Sequence, residues 1–130
     1  MPVGERPWFR EVVEEPDATR LLRLNARNSR VVKERAGTLL EILRNAASAD
    51  AELQTLWQRI EAEFHENQRA VVEHLQKMGA LRQGLDVDRA TDILWTLNHP
   101  GVYHLLVGER GWTPRQYEEW LGDTSCEQLL

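Results

Sequence analysis

The chain has 130 residues, a net charge of −5, and hydrophobic and charged fractions of 42% and 28%, which predict one soluble domain with its own core. No apolar run approaches the roughly 20 residues that cross a bilayer, and no secretory signal is recognisable, so a cytoplasmic location is expected. The single cysteine excludes an internal disulfide, and the acidic balance counts against nucleic-acid binding by this chain alone.

Proline and glycine positions predict an all-α fold of about six helices. The five prolines stand at positions 2, 7, 16, 100 and 114, and the long stretch from Asp17 to His99 contains glycine only at 37, 79 and 84. Period-two alternation bounded by tight-turn sequences, the signature of strands, is absent. We therefore expect a single helical-bundle domain over residues 1–130.

The first half of the chain predicts four helical segments. A short helix covers 7–15, a longer one runs from Pro16 and Asp17 to about Arg35, and Gly37 separates it from a brief segment over 38–48. A helix from about Asp50 to Met78 is the clearest, because its apolar residues fall within about 60° of Ile60 at 100° per residue.

Two further helices are predicted in the last third of the chain. Asp86 is the expected N-cap of the first, whose apolar residues lie on two faces, so that it needs cover on both sides. Pro100 interrupts it, and Asn98 or His99 can end one half and cap the next. The last helix begins with Thr113 as N-cap and a capping-box sequence.

Polar residues interrupt the apolar stripes of the two long helices, with Asn67 and His74 on one and Asn25, Asn28 and Ser29 on the other. A buried amide without a partner costs about 1–3 kcal/mol. These groups therefore either pair within the protein or line a ligand pocket with aromatic walls. The second interpretation predicts the ligand-binding set Asn25, Asn28, Ser29, Trp57, Phe64, Asn67, His74, Trp95 and Asn98.

Other functional patterns are weak. A row of basic residues lies on the opposite face of the first long helix: Arg20, Arg23, Arg27, Arg30 and Lys33. A phosphate-binding surface is conceivable there, but in a chain with an acidic excess we expect this face to be solvated and paired with glutamates. Glu61 and His65 could share a metal, but a di-iron bundle needs Glu-x-x-His on two helices, and Ala62 stands where the first of these glutamates should be. Phosphate-loop and nucleophile-elbow motifs are also missing. We expect no catalytic site, no metal and no cofactor.

The stretch RATDILWTLNHPGVYHLLVGERGWTPRQYEEWLGDT strongly resembles the C-terminal half of TetR-type transcriptional regulators, and ERAGTLLEILRNAASADAELQTLW is similar too. The resemblance covers the chain from about Arg6. It implies an effector-binding and dimerisation domain whose last two helices form a four-helix bundle with those of a second subunit. The implied interface candidates are Ile93, Trp95, Tyr103, Leu106, Tyr117, Trp120 and Leu121.

The resemblance also implies repression that an unknown, largely apolar effector releases. The family's N-terminal helix-turn-helix domain is absent: either a longer parent protein carries it ahead of Met1, or a natural truncation has left a sensor that cannot bind operator DNA. His99 stands where a Ser is common, and the polar end TSCEQLL departs from the family's apolar one. A structural dimerisation domain without a working pocket is the alternative.

Overall fold

The computed structural model describes residues 2–130, and they form helices and connecting turns without any strand. The predicted all-α class is confirmed. In chain order the elements are a 3-10 turn Val3–Glu5, α1 (Pro7–Glu14), α2 (Ala18–Ala47), α3 (Ala51–Lys77), α4 (Val87–Asn98), the single turn α5 (Pro100–Tyr103), a π-helical segment His104–Glu109, and α6 (Pro114–Leu129).

The prediction that Gly37 ends the first long helix is wrong. Helix α2 runs unbroken for 30 residues and includes the segment that was expected to be separate. A glycine inside a helix costs only about 1 kcal/mol relative to alanine, too little to end a helix that packs on its neighbours; a Cβ on Gly37 would lie 3.6 Å from Cε1 of Tyr103, an ordinary van der Waals contact. The packing of α5 on α2 therefore leaves room for a Cβ at position 37.

Helix starts follow the sequence signals closely. The carboxylates of Asp17, Asp50 and Asp86 each accept hydrogen bonds from backbone N–H groups of the first turn, which supplies partners for donors that the helix leaves free. Thr113 and Gln116 form the predicted capping box reciprocally, at 3.1 and 2.8 Å. Gly79, with φ of +71°, ends α3 in the left-handed conformation that favours glycine.

Helices α2 and α3 form an antiparallel pair joined by the turn at 48–50, and α6 packs along the other side of α2 while α4 packs on α3. The largest buried cluster lies where these helices meet and consists of Val12, Leu21, Leu22, Val71, Val72, Leu75, Ala90, Leu94 and Leu129. Among residues 2–130, no helix is both long enough and apolar enough to span a bilayer.

Helices α2 and α6 approach each other closely. Gly122 is buried, and a Cβ there would lie 3.4 Å from the Arg23 side chain. Arg23 pairs with Asp123 at 2.8 Å and Arg30 with Glu118 at 2.6 Å, so part of the basic face pairs with acidic residues, as predicted. Assigning Lys33 to that solvated face was wrong, because only 6% of its surface is exposed.

Two interface candidates are corrected by their burial. Tyr117 and Leu121 have no exposed surface, because they pack in a cluster with Ala26 of α2. They cannot contact a second subunit while this packing holds. Trp95 lies in ring contact with His65 and His99 inside the chain. The candidates other than Tyr117 and Leu121 are partly exposed: Ile93, Trp95, Tyr103, Leu106 and Trp120.

Pro100, which interrupts the apolar stretch, is the first residue of α5. A backbone N–H at this position would have no partner within the helix, so its absence in proline costs no hydrogen bond. Nδ1 of His99 accepts the Gly101 N–H at 2.9 Å, so His99 is the N-cap. The chain then continues as a π-helix to Glu109 instead of the expected α-helix. The kink itself is as predicted.

Two leucines of α2 provide a matched test of this packing. Leu21 is fully buried and Leu39 is 68% exposed, so Leu21→Ala should lower the free energy of unfolding by about 2–5 kcal/mol, whereas Leu39→Ala should change it by less than about 0.5 kcal/mol. Urea denaturation followed by circular dichroism measures both. Equal losses would show that α2 is not packed as described.

Candidate ligand cavity

A cavity of about 270 Å³ opens between α2, α3 and the end of α4. Its wall combines aromatic and aliphatic side chains with amides and basic groups. The lining residues are Trp8, Asn25, Asn28, Ser29, Val31, Val32, Lys33, Arg35, Phe64, Asn67, Gln68, Trp95, Asn98 and His99. A mostly apolar wall with a few converging polar groups is the usual make-up of small-molecule sites.

Seven of the nine residues proposed from the sequence line this cavity: Asn25, Asn28, Ser29, Phe64, Asn67, Trp95 and Asn98. Trp57 and His74 do not. Trp57 is buried near one end of the helix pair with Leu40 and Ala47, and only its ring edge approaches His99, at 6.1 Å between ring centres. His74 lies in the last turn of α3.

Trp57 and His74 do not line the cavity because they lie at a different position along the helix axis. Trp57 and His74 share the face of α3 that carries Phe64, but they are seven and ten residues away from it. At 1.5 Å per residue these separations are about 10 and 15 Å. The angular position of a residue around the helix indicates which neighbouring element its side chain faces. It does not indicate where along the helix axis the contact occurs.

Several amides and hydroxyls of the wall are paired inside the chain. Asn25 Nδ2 donates to Gln68 Oε1 at 2.8 Å, and Asn67 Oδ1 accepts from the Arg6 guanidinium at 3.4 Å. Asn98 Nδ2 donates to the Leu94 carbonyl at 2.8 Å. These bonds orient the wall and use up part of its hydrogen-bonding capacity.

Three buried polar atoms of wall residues have no hydrogen-bond partner in the described chain: Asn28 Nδ2, Trp95 Nε1 and Asn98 Oδ1. Two are donors and one is an acceptor. Orphaned buried groups are rare in native proteins and cost about 1–3 kcal/mol each. All three belong to residues that line this one cavity.

Lys33 is the main wall residue that sequence reasoning missed. Burial lowers the pKa of its amine to about 7 from the ordinary 10.5, because a charged group loses hydration there. Its Nζ donates to Ser29 Oγ at 2.8 Å and lies 5.8 Å from the centre of the Phe64 ring. The spacing Asn25, Ser29, Lys33 was the available signal, since residues four apart share a helix face.

A chain of polar contacts leads from Lys33 to the last helix. Ser29 Oγ accepts from Lys33 and lies 3.5 Å from the Tyr117 hydroxyl, which donates to the Leu97 carbonyl at 3.4 Å. Burial raises the pKa of Tyr117 to about 12, so its hydroxyl stays protonated and can donate. The cavity wall is thereby connected to α6 and to the end of α4.

Two of the histidines, His99 and His65, make defined contacts within the chain. Because the Gly101 N–H donates to Nδ1 of His99, the ring proton is on Nε2, which donates to Glu61 at 2.9 Å. His65 contacts Asp92 at 3.1 Å. Glu61 and His65, the pair considered for a metal, thus have different partners, and no group of three or more potential metal ligands occurs in residues 2–130.

Comparison of the chain with protein-family models, with curated protein sequences and with solved structures found no match.

The buried amine makes stability depend on pH in a defined direction. The unfolded chain keeps the Lys33 proton up to about pH 10.5, but the folded chain releases it near 7, so the contribution of Lys33 to stability rises with pH between these values. The wild type should gain up to about 1.4 kcal/mol per pH unit relative to Lys33→Met. Urea denaturation of both proteins from pH 7 to 10 measures this, and a constant difference would contradict it.

Proposed function

We propose that this chain is the small-molecule-sensing and dimerisation domain of a TetR-type transcriptional regulator, in which ligand binding controls DNA binding by the parent protein. The single observation that carries the sensing role is the cavity. Side chains that the sequence marked as misplaced polar groups line it, and three of its buried polar atoms lack partners. The family assignment rests on the sequence motifs of the last third of the chain.

The composition of the wall supports a small, largely apolar effector. Trp8, Phe64 and Trp95 offer flat surfaces, and the unpaired atoms of Asn28, Trp95 and Asn98 could meet polar atoms of such a molecule. A ligand that satisfies these atoms recovers the free energy that their burial costs. No bond making is required, so the proposed role is binding and not catalysis.

The contacts from Ser29 through Tyr117 to Leu97 suggest how binding is transmitted. An effector that fits one arrangement of α2 against α6 better than another shifts the population toward it. In the proposed regulator this shift changes the distance between the two DNA-reading domains and so releases repression.

Homodimerisation through the outer surfaces of the last helices is part of the proposal. Ile93, Leu106 and Trp120 are partly exposed there, and Leu105 of the π-helical segment is 53% exposed. A twofold contact must be self-complementary, and these apolar side chains could meet their own copies across such an axis. Tyr117 and Leu121 then support the interface from inside the subunit.

A structural dimerisation domain without a working pocket is the second candidate. It is favoured by the internal pairing of Asn25 with Gln68, Ser29 with Lys33 and Asn67 with Arg6. Polar wall groups that satisfy one another need no ligand. Ligand screening separates the two candidates.

A thermal-shift screen of the whole chain against small aromatic and lipid-like compounds should yield stabilising ligands. A ligand that binds only the native state adds RT ln(1 + [L]/Kd), about 2.7 kcal/mol at a hundredfold excess over Kd. The control is Asn28→Phe, which replaces an unpaired amide in the wall with a larger ring and should abolish the response. No stabilisation by any compound of a broad library would favour the purely structural role.

Sedimentation velocity at micromolar concentration should find a dimer. Trp120→Glu places a charge in the proposed interface and should produce monomers, because an unpaired buried charge is strongly unfavourable. Leu39→Glu alters the exposed face of α2 and should leave the dimer intact. A monomeric wild type would remove the dimer proposal, and dissociation by Leu39→Glu alone would move the interface to α2.

A further inference from the structure

The charge of the cavity wall is opposite to that of the whole chain. The protein has 21 acidic residues and a net charge of −5, yet among residues 2–130 no Asp or Glu lines the cavity, whereas Lys33 and Arg35 do. Nearby positive groups in a region of low dielectric attract anions far more strongly than they would in water. The wall therefore favours a ligand that carries negative charge.

The Lys33 amine lacks the partner that a buried amine normally has. Its described contacts are the hydroxyl of Ser29 and the ring of Phe64, and no carboxylate of the described chain forms an ion pair with it. An ammonium has three N–H donors, so two remain after the bond to Ser29. Buried charges in proteins are otherwise paired.

The unpaired donors point to the same chemistry. Asn28 Nδ2 and Trp95 Nε1 both need an acceptor, and only Asn98 Oδ1 needs a donor. When the remaining N–H groups of Lys33 are included, the wall has more donors without a partner than acceptors without a partner. A ligand rich in acceptor oxygens matches this excess, and hydrogen bonds in which one partner is charged are roughly twice as strong as neutral ones.

We infer that the effector is a small aromatic carboxylate, whose carboxylate is bound by Lys33 and whose ring lies against the aromatic wall formed by Trp8, Phe64 and Trp95. This inference rests on the proposed sensing function and specifies its ligand class. One buried amine, charged when it binds an anion, matches one negative charge; a phosphate dianion would need a second buried cation, and the Arg35 guanidinium of the wall is exposed. The apolar remainder of the wall suits an aromatic body.

The test compares carboxylic acids with their neutral amides, which have nearly the same shape. Isothermal titration calorimetry on the whole chain uses indole-3-acetate against indole-3-acetamide and 2-naphthoate against 2-naphthamide. The acids should bind the wild type about 10- to 100-fold more tightly, as expected for a charge-assisted contact. Lys33→Met, of similar length without charge, should remove this preference, and Lys33→Arg should retain part of it.

The outcomes separate this inference from the proposed function. Acids and amides that bind the wild type equally well, or an acid preference that survives in Lys33→Met, would overturn the assignment of a carboxylate while leaving a ligand-binding cavity in place. Failure of both acids and amides, with no response in the broad thermal-shift screen, would overturn the sensing function as well. The wild-type comparison alone decides the ligand class if the Lys33 variants do not fold.

Discussion

The constraint on which the rest of the structure depends is the burial of α2 on two sides. Its 30 residues pack against both α3 and α6, so its buried side chains must meet two neighbouring helices. Near its N-terminal end, Leu21 and Leu22 do this with aliphatic side chains. In the middle, Asn25, Ser29 and Lys33 are buried as well, and the fold must find partners for them.

The solution to that problem differs from one polar residue to the next. Asn25 is satisfied by Gln68 of α3, and Ser29 by Lys33 and Tyr117. The amine of Lys33 is accommodated partly by losing its charge, since burial lowers its pKa to about 7. The buried polar atoms that remain without a hydrogen-bond partner belong to residues that line one cavity. In binding sites, unpaired buried polar groups lie close together because a ligand supplies part of their hydrogen bonds.

The cavity and the last helix share structural elements, which makes sensing and assembly physically compatible. Tyr117 is fully buried, contacts Ser29 in the cavity wall, and stacks edge-on against Tyr103 at 4.9 Å. Because Tyr117 is buried, it cannot contact a second subunit. It lies directly between the cavity wall and the outer surface of the last helices. In the proposed regulator, a change in α2 at Ser29 would reach α6 through this close packing, which deforms in discrete steps and not continuously.

The sequence by itself determined the helical class, the helix starts at Asp17, Asp50, Asp86 and Thr113, and half of the residues of the cavity wall, because capping chemistry and angular periodicity are local properties. Only the tertiary structure decided that α2 continues through Gly37, that Trp57 lies at another level, and that Lys33 points inward. None of these can be deduced from angular position alone, because each depends on how α2 and α3 pack against the neighbouring helices. Periodicity measures angle around a single axis, whereas burial is decided by the distance between axes and the level at which their side chains meet.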